Sequence, residues 1–202
     1  MKLKKIKIVK IIIFLLILSK IFPLAAVSKD IEKNAYFAGG CFWCMEEVFE
    51  KVNGVIDVVS GYSGGKKSNP TYEEVTKGKT GHIEVIKISY NPGIISFKDL
   101  LNIFWINIDP YDGYGQFCDK GNSYISAIFY QNDNEKNLIQ DSLNNLKQID
   151  VKKIKTKYLK FEEFYLAEEY HQNYYKKNPF RYNVYKINCG RDARLQEVWK
   201  IK

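Results

Sequence analysis

Short runs of β-branched and aromatic residues bounded by turn formers recur along the chain. They predict strands over Ala35–Ala38, Val55–Tyr62, Glu84–Tyr90, Ser126–Tyr130 and Lys155–Phe161. Between them the apolar period lengthens to that of a helix. After Cys41, the residues Met45, Val48, Phe49 and Val52 recur at helical spacing until Asn53-Gly54 stops the run. Ser96 and Asp99 resemble a capping box built with the shorter acid, opening a helix whose buried stripe is Leu100, Leu101, Phe104 and Trp105. A third helix is predicted from Asp133, burying Ile139, Leu143, Leu146 and Ile149. A fourth covers about Leu166–Lys177 and stops before Pro179, which cannot continue it. Strands and helices alternating in one short chain predict an α/β sandwich, a sheet with helices packed on it, though periodicity leaves the strand order open.

The 202 residues are material for one ordinary domain, expected from about residue 34 to 202, since no repeat or linker interrupts the chain after residue 30. Hydrophobic residues at 46% and charged residues at 27% argue against disorder and against a polytopic membrane protein. The net charge of +8 changes the picture only at the N-terminus. Residues 1–28 carry six of the 31 basic residues and no acid, leaving 25 basic against 23 acidic residues, or +2, for the rest. A nucleic-acid partner, which needs a basic footprint on the folded domain, is therefore not expected. Lysines, the apolar run Ile11–Leu18 and small residues at Ala25, Ala26 and Ser28 follow the order of a secretory signal peptide. Residues 1–28 are read as a signal peptide or, uncleaved, a membrane anchor, which exports the four cysteines to a compartment where disulfides persist.

Candidate chemistry concentrates in Phe37-Ala38-Gly39-Gly40-Cys41-Phe42-Trp43-Cys44-Met45-Glu46. A strand runs into two glycines, and a helix begins at the first cysteine. Helix N-terminal N–H groups then point at the Cys41 sulfur and favour its thiolate, making Cys41 the candidate nucleophile. About 0.3–1 kcal/mol lowers a thiol pKa by less than about one pH unit, so a neighbouring donor or the substrate has to assist. Phe42 and Trp43 are costly to expose unless they line a pocket for a small apolar group. Two structural bridges among Cys41, Cys44, Cys118 and Cys189 are the simpler alternative. No metal is expected, because a single C-x-x-C with two distant cysteines lacks a second paired ligand set.

In the run Gly81–Tyr90, period-two alternation places Glu84 on the side of Ile86 and Ile88. If that face is inward, the carboxyl keeps its proton near neutrality and becomes a general acid; if Ile83 and Val85 face inward instead, Glu84 is solvated. The alternation fits both equally. The stretch Asp109–Tyr124 reads as a long functional loop in which Asp119 and Tyr124, with the earlier Tyr72, are candidate hydrogen-bonding groups around a polar substrate atom. His82 and His171 read as satisfied structural histidines.

Gly40-Cys41-Phe42-Trp43-Cys44-Met45-Glu46, Gly61-Tyr62-Ser63-Gly64-Gly65, Asn69-Pro70-Thr71-Tyr72, Thr80-Gly81-His82-Ile83-Glu84-Val85, His171-Gln172 and Lys177-Asn178-Pro179 together resemble the A-type peptide methionine sulfoxide reductases, in order from about residue 35 to 180. The resemblance implies a ferredoxin-like two-layer α/β sandwich with a mixed sheet. It implies that Cys41 attacks the sulfur of an S-configured methionine sulfoxide, free or in an oxidised protein or peptide, while Phe42 and Trp43 hold the ε-methyl group. Glu84 protonates the oxygen, Tyr72 and Tyr124 donate hydrogen bonds to it, and Asp119 helps position water or substrate. No bound cofactor is implied. Another thiol converts the sulfenic acid on Cys41 to a disulfide, and a thioredoxin-like protein or other dithiol resets a monomeric enzyme. Cys189 is the first candidate for the resolving thiol, because a C-terminal segment can move. Cys118, beside Asp119, is second, and Cys44 third, since closing a pair on one helical turn needs distortion. Ile125 departs from the family, where an arginine commonly follows the tyrosine. Two other readings stay open at this point: a general thiol–disulfide exchange protein using Cys41 and Cys44, and an exported binding module with static bridges.

Overall fold

The computed structural model describes residues 32–147 and 149–200, so the reading of residues 1–28 as a leader lies outside the described residues. The elements run β1 (Lys33–Gly39), α1 (Phe42–Glu50), β2 (Val55–Ser63), α2 (Tyr72–Thr76), β3 (Ile83–Tyr90) and α3 (Phe97–Ile106). The two-residue strands β4 (Gly115–Gln116) and β5 (Asp119–Lys120) and a 3-10 turn Asn122–Tyr124 precede β6 (Ser126–Tyr130) and α4 (Asp133–Asn144). Then come β7 (Lys157–Lys160), β8 (Phe164–Leu166), α5 (Tyr174–Lys177), α6 (Pro179–Asn188) and α7 (Arg191–Trp199).

Six strands form one mixed sheet in the order β7-β6-β1-β3-β2-β8. β1 lies antiparallel between β3 and β6, β2 pairs antiparallel with β3 and β8, and β7 runs parallel to β6. The apolar stripes of α1 (Phe42, Met45, Phe49) and α3 (Leu100, Leu101, Phe104, Trp105) pack over Phe37, Ile86 and Ile88 to form the main core. Ser96 and Asp99 close the expected capping box at the start of α3.

The other face of the sheet is also covered. Ile83, Val85, Tyr36 and Phe129 are buried there beneath the segment entering β8, where Phe161 stacks on Tyr36 with ring centroids 3.9 Å apart. Both candidate orientations of β3 therefore have an inward face, which is why alternation could not choose between them. Glu84 lies with Ile86 and Ile88 on the helix-covered side, only 2% exposed.

Three expectations need correction. No helix spans Leu166–Lys177: Leu166 ends β8, and Gln172 instead spends its amide on the Ser60 backbone N–H and C=O and on the Ala167 C=O at 2.8–2.9 Å. Asn173, at φ 54°, breaks the helical path before the single turn of α5. Pro179 opens α6 rather than stopping a helix, because at the first helical position its missing N–H has no partner to lose. The third helix ends at Asn144, with Leu146 and Ile149 packing against the core from beyond it. The stretch Asp109–Tyr124 is not an open loop but contains the β4–β5 hairpin, which needs glycine at Gly115: a Cβ there would stand 2.1 Å from the Asp119 carbonyl oxygen.

Candidate active site

β1 runs out at Gly39, and Gly40 turns the chain at φ +80° so that α1 starts immediately after Cys41. A Cβ on Gly40 would meet the Gln116 Cβ at 2.6 Å. Gln116 is itself clamped to the backbone N–H and C=O of Asp109 at 2.8 Å each. The bare glycine thus lets the β4–β5 hairpin settle against the helix start and bring Asp119 toward Cys41.

A pocket of about 80 Å³ opens there, lined by Cys41, Phe42, Trp43, Tyr72, Glu84, Asp119, Tyr124 and Tyr185. Six separate parts of the chain supply these side chains: the start of α1, the start of α2, β3, β5, the 3-10 turn and α6. All seven residues expected at the catalytic and substrate positions meet in it. Tyr185 was not anticipated; its hydroxyl donates to the Asp119 carboxylate.

The helix N-terminus acts on a different group from the one expected. Cys41 is the N-cap, but its side chain makes no capping hydrogen bond. The Phe42 N–H donates instead to Glu84 Oε2 at 3.0 Å. Burial pushes the Glu84 carboxyl well above the ordinary range despite that N–H, and the neighbouring charge of Asp119 adds to the effect, the direction a proton donor needs. Burial likewise raises Tyr72 to about 12 and pushes Tyr124 higher still, which keeps both phenols as donors. Asp119 is raised by burial, with the Tyr185 hydrogen bond opposing.

Cys41 and Cys44 are both buried and unbridged, while Cys118 and Cys189 are joined in a disulfide with S–S 2.04 Å. The first two candidates for the resolving thiol are therefore bonded to each other, and the third lies beside Cys41. Static bridging of all four cysteines does not describe this arrangement. Burial holds the Cys41 thiol well above its ordinary range, reinforced by its hydrogen bond to Cys44. That same hydrogen bond brings Cys44 down to about 7 against burial, helped by Arg191, the Tyr182 hydroxyl and Lys186. The two thiols titrate as a coupled pair in which Cys44 is the more acidic partner.

Two further contributors escaped the reading of the sequence. His171 accepts the Trp43 indole N–H through Nδ1 at 3.2 Å and packs against Phe42 and Tyr72 with ring centroids 5.1 and 4.3 Å away. Burial lowers its pKa, and accepting at Nδ1 assigns its proton to Nε2, which has no hydrogen-bond partner among the described residues. It therefore orients an aromatic wall of the pocket and is not the fully satisfied residue expected. His82 is satisfied, between the Gly65 N–H and the Lys67 carbonyl. Arg191 is buried, donating to the Asn107 and Gly39 carbonyls and to Met45 Sδ. Its place directly after Cys189-Gly190 was the one available signal, whereas Tyr185 is one tyrosine among 15.

The family model for peptide methionine sulfoxide reductase matches residues 33–202. The peptide methionine sulfoxide reductase MsrA of Bacillus subtilis is 49% identical over 119 residues, covering 59% of this chain and 67% of that protein. The MsrA of Streptococcus agalactiae is 46% identical over 115 residues, covering 57% and 68%. Among solved structures, Mxr1 of Saccharomyces cerevisiae in reduced form superposes with a TM-score of 0.69 at 32% identity, over 74% of this chain and 87% of that one. The methionine sulfoxide reductase A of Corynebacterium diphtheriae gives 0.67 at 31%, over 73% and 76%. An 80 Å³ pocket that sets the Cys41 thiol against a buried carboxyl fits that relationship, and the chain belongs to the peptide methionine sulfoxide reductase family, as an oxidoreductase that reduces methionine sulfoxide through redox-active cysteines.

Proposed function

We propose that the protein reduces the S-sulfoxide of methionine, free or within oxidised proteins, with Cys41 as nucleophile, Glu84 as general acid and Cys44 as resolving thiol. The observation that carries this reading is the meeting of the Cys41 thiol and the buried Glu84 carboxyl in one small pocket with the phenols of Tyr72 and Tyr124 and an aromatic wall, while the buried Cys44 thiol lies against Cys41 at the start of α1. Phe42 and Trp43 receive the ε-methyl group, and the sulfoxide oxygen faces Tyr72, Tyr124 and Glu84. Proton donation from Glu84 draws electrons from the substrate sulfur as Cys41 attacks it. The Cys41 proton passes to Cys44, so no deeply depressed Cys41 pKa is required. Oxygen transfer leaves a thioether and a sulfenic acid on Cys41. The Cys44 thiol then displaces the sulfenic oxygen as water and forms the disulfide. The net reaction converts one sulfoxide and two thiols into one thioether, one disulfide and one water. Closing the bond loosens the first turn of α1, where the Cys44 and Met45 N–H groups reach the Cys41 carbonyl at 3.2 and 3.4 Å.

A thioredoxin-like protein or another dithiol regenerates the pair, and no bound cofactor takes part. Mxr1 of yeast has been crystallised in complex with Trx2. Asp119, held by Tyr185, positions substrate or water. The succession β1-α1-β2-β3-α3-β6 with sheet order β6-β1-β3-β2 supports the ferredoxin-like description. Export through residues 1–28 and action as a monomer complete the proposal, the first supported by the lysine-rich start and apolar run.

One equivalent of an S-configured sulfoxide added to reduced protein, followed by mass spectrometric mapping, tests the reading. A Cys41–Cys44 cross-link with one methionine released per chain is expected, and Cys41→Ser releases none. Full release by that variant, or a cross-link that excludes Cys41, refutes it.

A further inference from the structure

We propose that the exposed face of α6 beside the reactive pocket holds the residue adjacent to methionine sulfoxide in a peptide substrate, with a preference for aromatic or branched aliphatic side chains. The proposal rests on the reductase reading above and deepens it by assigning a second subsite.

The reactive pocket encloses about 80 Å³, roughly the share of liquid volume taken by two to three waters. That admits a methylsulfinyl head and leaves the rest of any peptide outside the mouth. Next to it lies a hollow of about 400 Å³ walled by Trp43, Tyr174, Phe180, Arg181, Val184 and Tyr185. Trp43 and Tyr185 belong to both spaces. Its wall is a built aromatic surface: Trp43 stacks on Tyr174 with centroids 3.8 Å apart and planes 10° apart, and Tyr185 meets Trp43 edge-on at 6.0 Å.

The outer edge of this hollow is apolar and open. Phe180 is 80% exposed and Val184 45%, and Ile187 at 78% continues the stripe one turn further along α6. Residues spaced i, i+4 and i+7 share one helix face, and this face has solvent where a core-facing stripe has neighbours. Contiguous exposed apolar surface beside a catalytic pocket marks a binding site more often than chance. An extended chain advances about 3.3 Å per residue, so the residue next to a seated methionine sulfoxide comes over the Trp43 and Tyr185 wall. Continuity with the pocket that takes the reacting side chain selects the substrate's own neighbour as the occupant.

The test compares three substrates reduced with dithiothreitol: N-acetyl-methionine sulfoxide amide, a pentapeptide with phenylalanine on both sides of the sulfoxide, and its glycine-flanked counterpart. Wild-type kcat/KM should favour the phenylalanine peptide over the glycine one by about tenfold, the discrimination typical of a partly buried apolar group. In the Phe180→Ser/Val184→Ser double variant the preference should fall below about twofold while turnover of the N-acetyl substrate stays at the wild-type level. Each single variant, with an unchanged melting temperature, should lose part of the preference. No preference in the wild type, or one that survives the double variant, overturns the proposal. So does a parallel loss on the N-acetyl substrate, which would place α6 in support of the catalytic pocket. A defect seen only when a thioredoxin-like protein replaces dithiothreitol also overturns it, and assigns the face to the reductant. Failure of the wild type to reduce the N-acetyl substrate refutes the reductase reading itself, and this proposal with it.

Discussion

Replacing Glu46 by glutamine should leave the protein equally stable in mild acid and make it more stable in mild base. Glu46 points from α1 into the interior with 0% exposure. Its Oε1 accepts the Asn173 N–H at 2.9 Å, and its Oε2 has no hydrogen-bond partner among the described residues, the Ser60 hydroxyl facing it without closing a bond. Burial, opposed by the Asn173 N–H and reinforced by Glu50, pushes the carboxyl from 4.5 up to about 7. A carboxyl whose folded pKa is raised holds its proton longer in the folded chain than in the unfolded one. Its contribution to stability is therefore fully present below about pH 4.5 and is lost as the pH rises through 7. At about 1.4 kcal/mol per pH unit, that interval costs the folded state at most about 3.5 kcal/mol in mild base. Glutamine keeps an acceptor for Asn173 and never ionises. Urea denaturation at pH 4, 6 and 8.5 should show little difference from wild type at pH 4, an intermediate gain at pH 6 and the full gain at pH 8.5. A difference that does not change with pH, or a variant less stable at pH 8.5, refutes the argument from a buried carboxylate.

Four further outcomes follow from the same structure. Glu84→Gln should lower kcat/KM by about 10²–10⁴, the usual worth of a positioned general acid, and abolish the alkaline fall in rate that accompanies ionisation of this carboxyl; an unchanged pH profile counts against its role. Cys44→Ser should still release one methionine per chain, more slowly than the wild type because the acceptor of the Cys41 proton is gone, and then stall with a thioredoxin-like dithiol, whereas sustained turnover would move the resolving step elsewhere. Gly40→Ala, with its Cβ forced to 2.6 Å from Gln116 at a left-handed φ, should cost about 1–3 kcal/mol in denaturant melts and displace the β4–β5 hairpin, so that activity falls more than stability alone explains. Phe49→Ala, emptying a fully buried site on α1, should cost about 3–5 kcal/mol by the same melts with little change in kcat for the fraction that remains folded.

Regular elements with one dominant face were readable in the chain itself. The stripe Leu100, Leu101, Phe104 and Trp105 with its Ser96–Asp99 box, and the run Ile128-Phe129-Tyr130 of β6, state their structure locally, because capping and periodicity involve neighbours within a few positions. So do the two glycines ahead of Cys41 and the rings between the cysteines, and with them the nucleophile and the pocket walls. The segment 166–177 was misread because its decisive partners are remote: Gln172 answers to Ser60, 112 positions away, and nothing local announces that exchange.

The site's electrostatics belonged wholly to the third dimension. Sequence placed a helix N-terminus beside Cys41, but the approach of β3 decided that the first N–H would serve Glu84 instead. Packing of the helices over the Ile86 and Ile88 face decided that this carboxyl is buried, since alternation names two faces and both are covered here. Which thiols meet was likewise beyond reach: Cys118 and Cys189 come together because α6 folds back over the hairpin, leaving Cys44 as the neighbour of Cys41. Residue types and short-range spacing carry the chemistry a chain is able to perform, while the protonation of each group depends on distances and desolvation that exist only once remote segments have met.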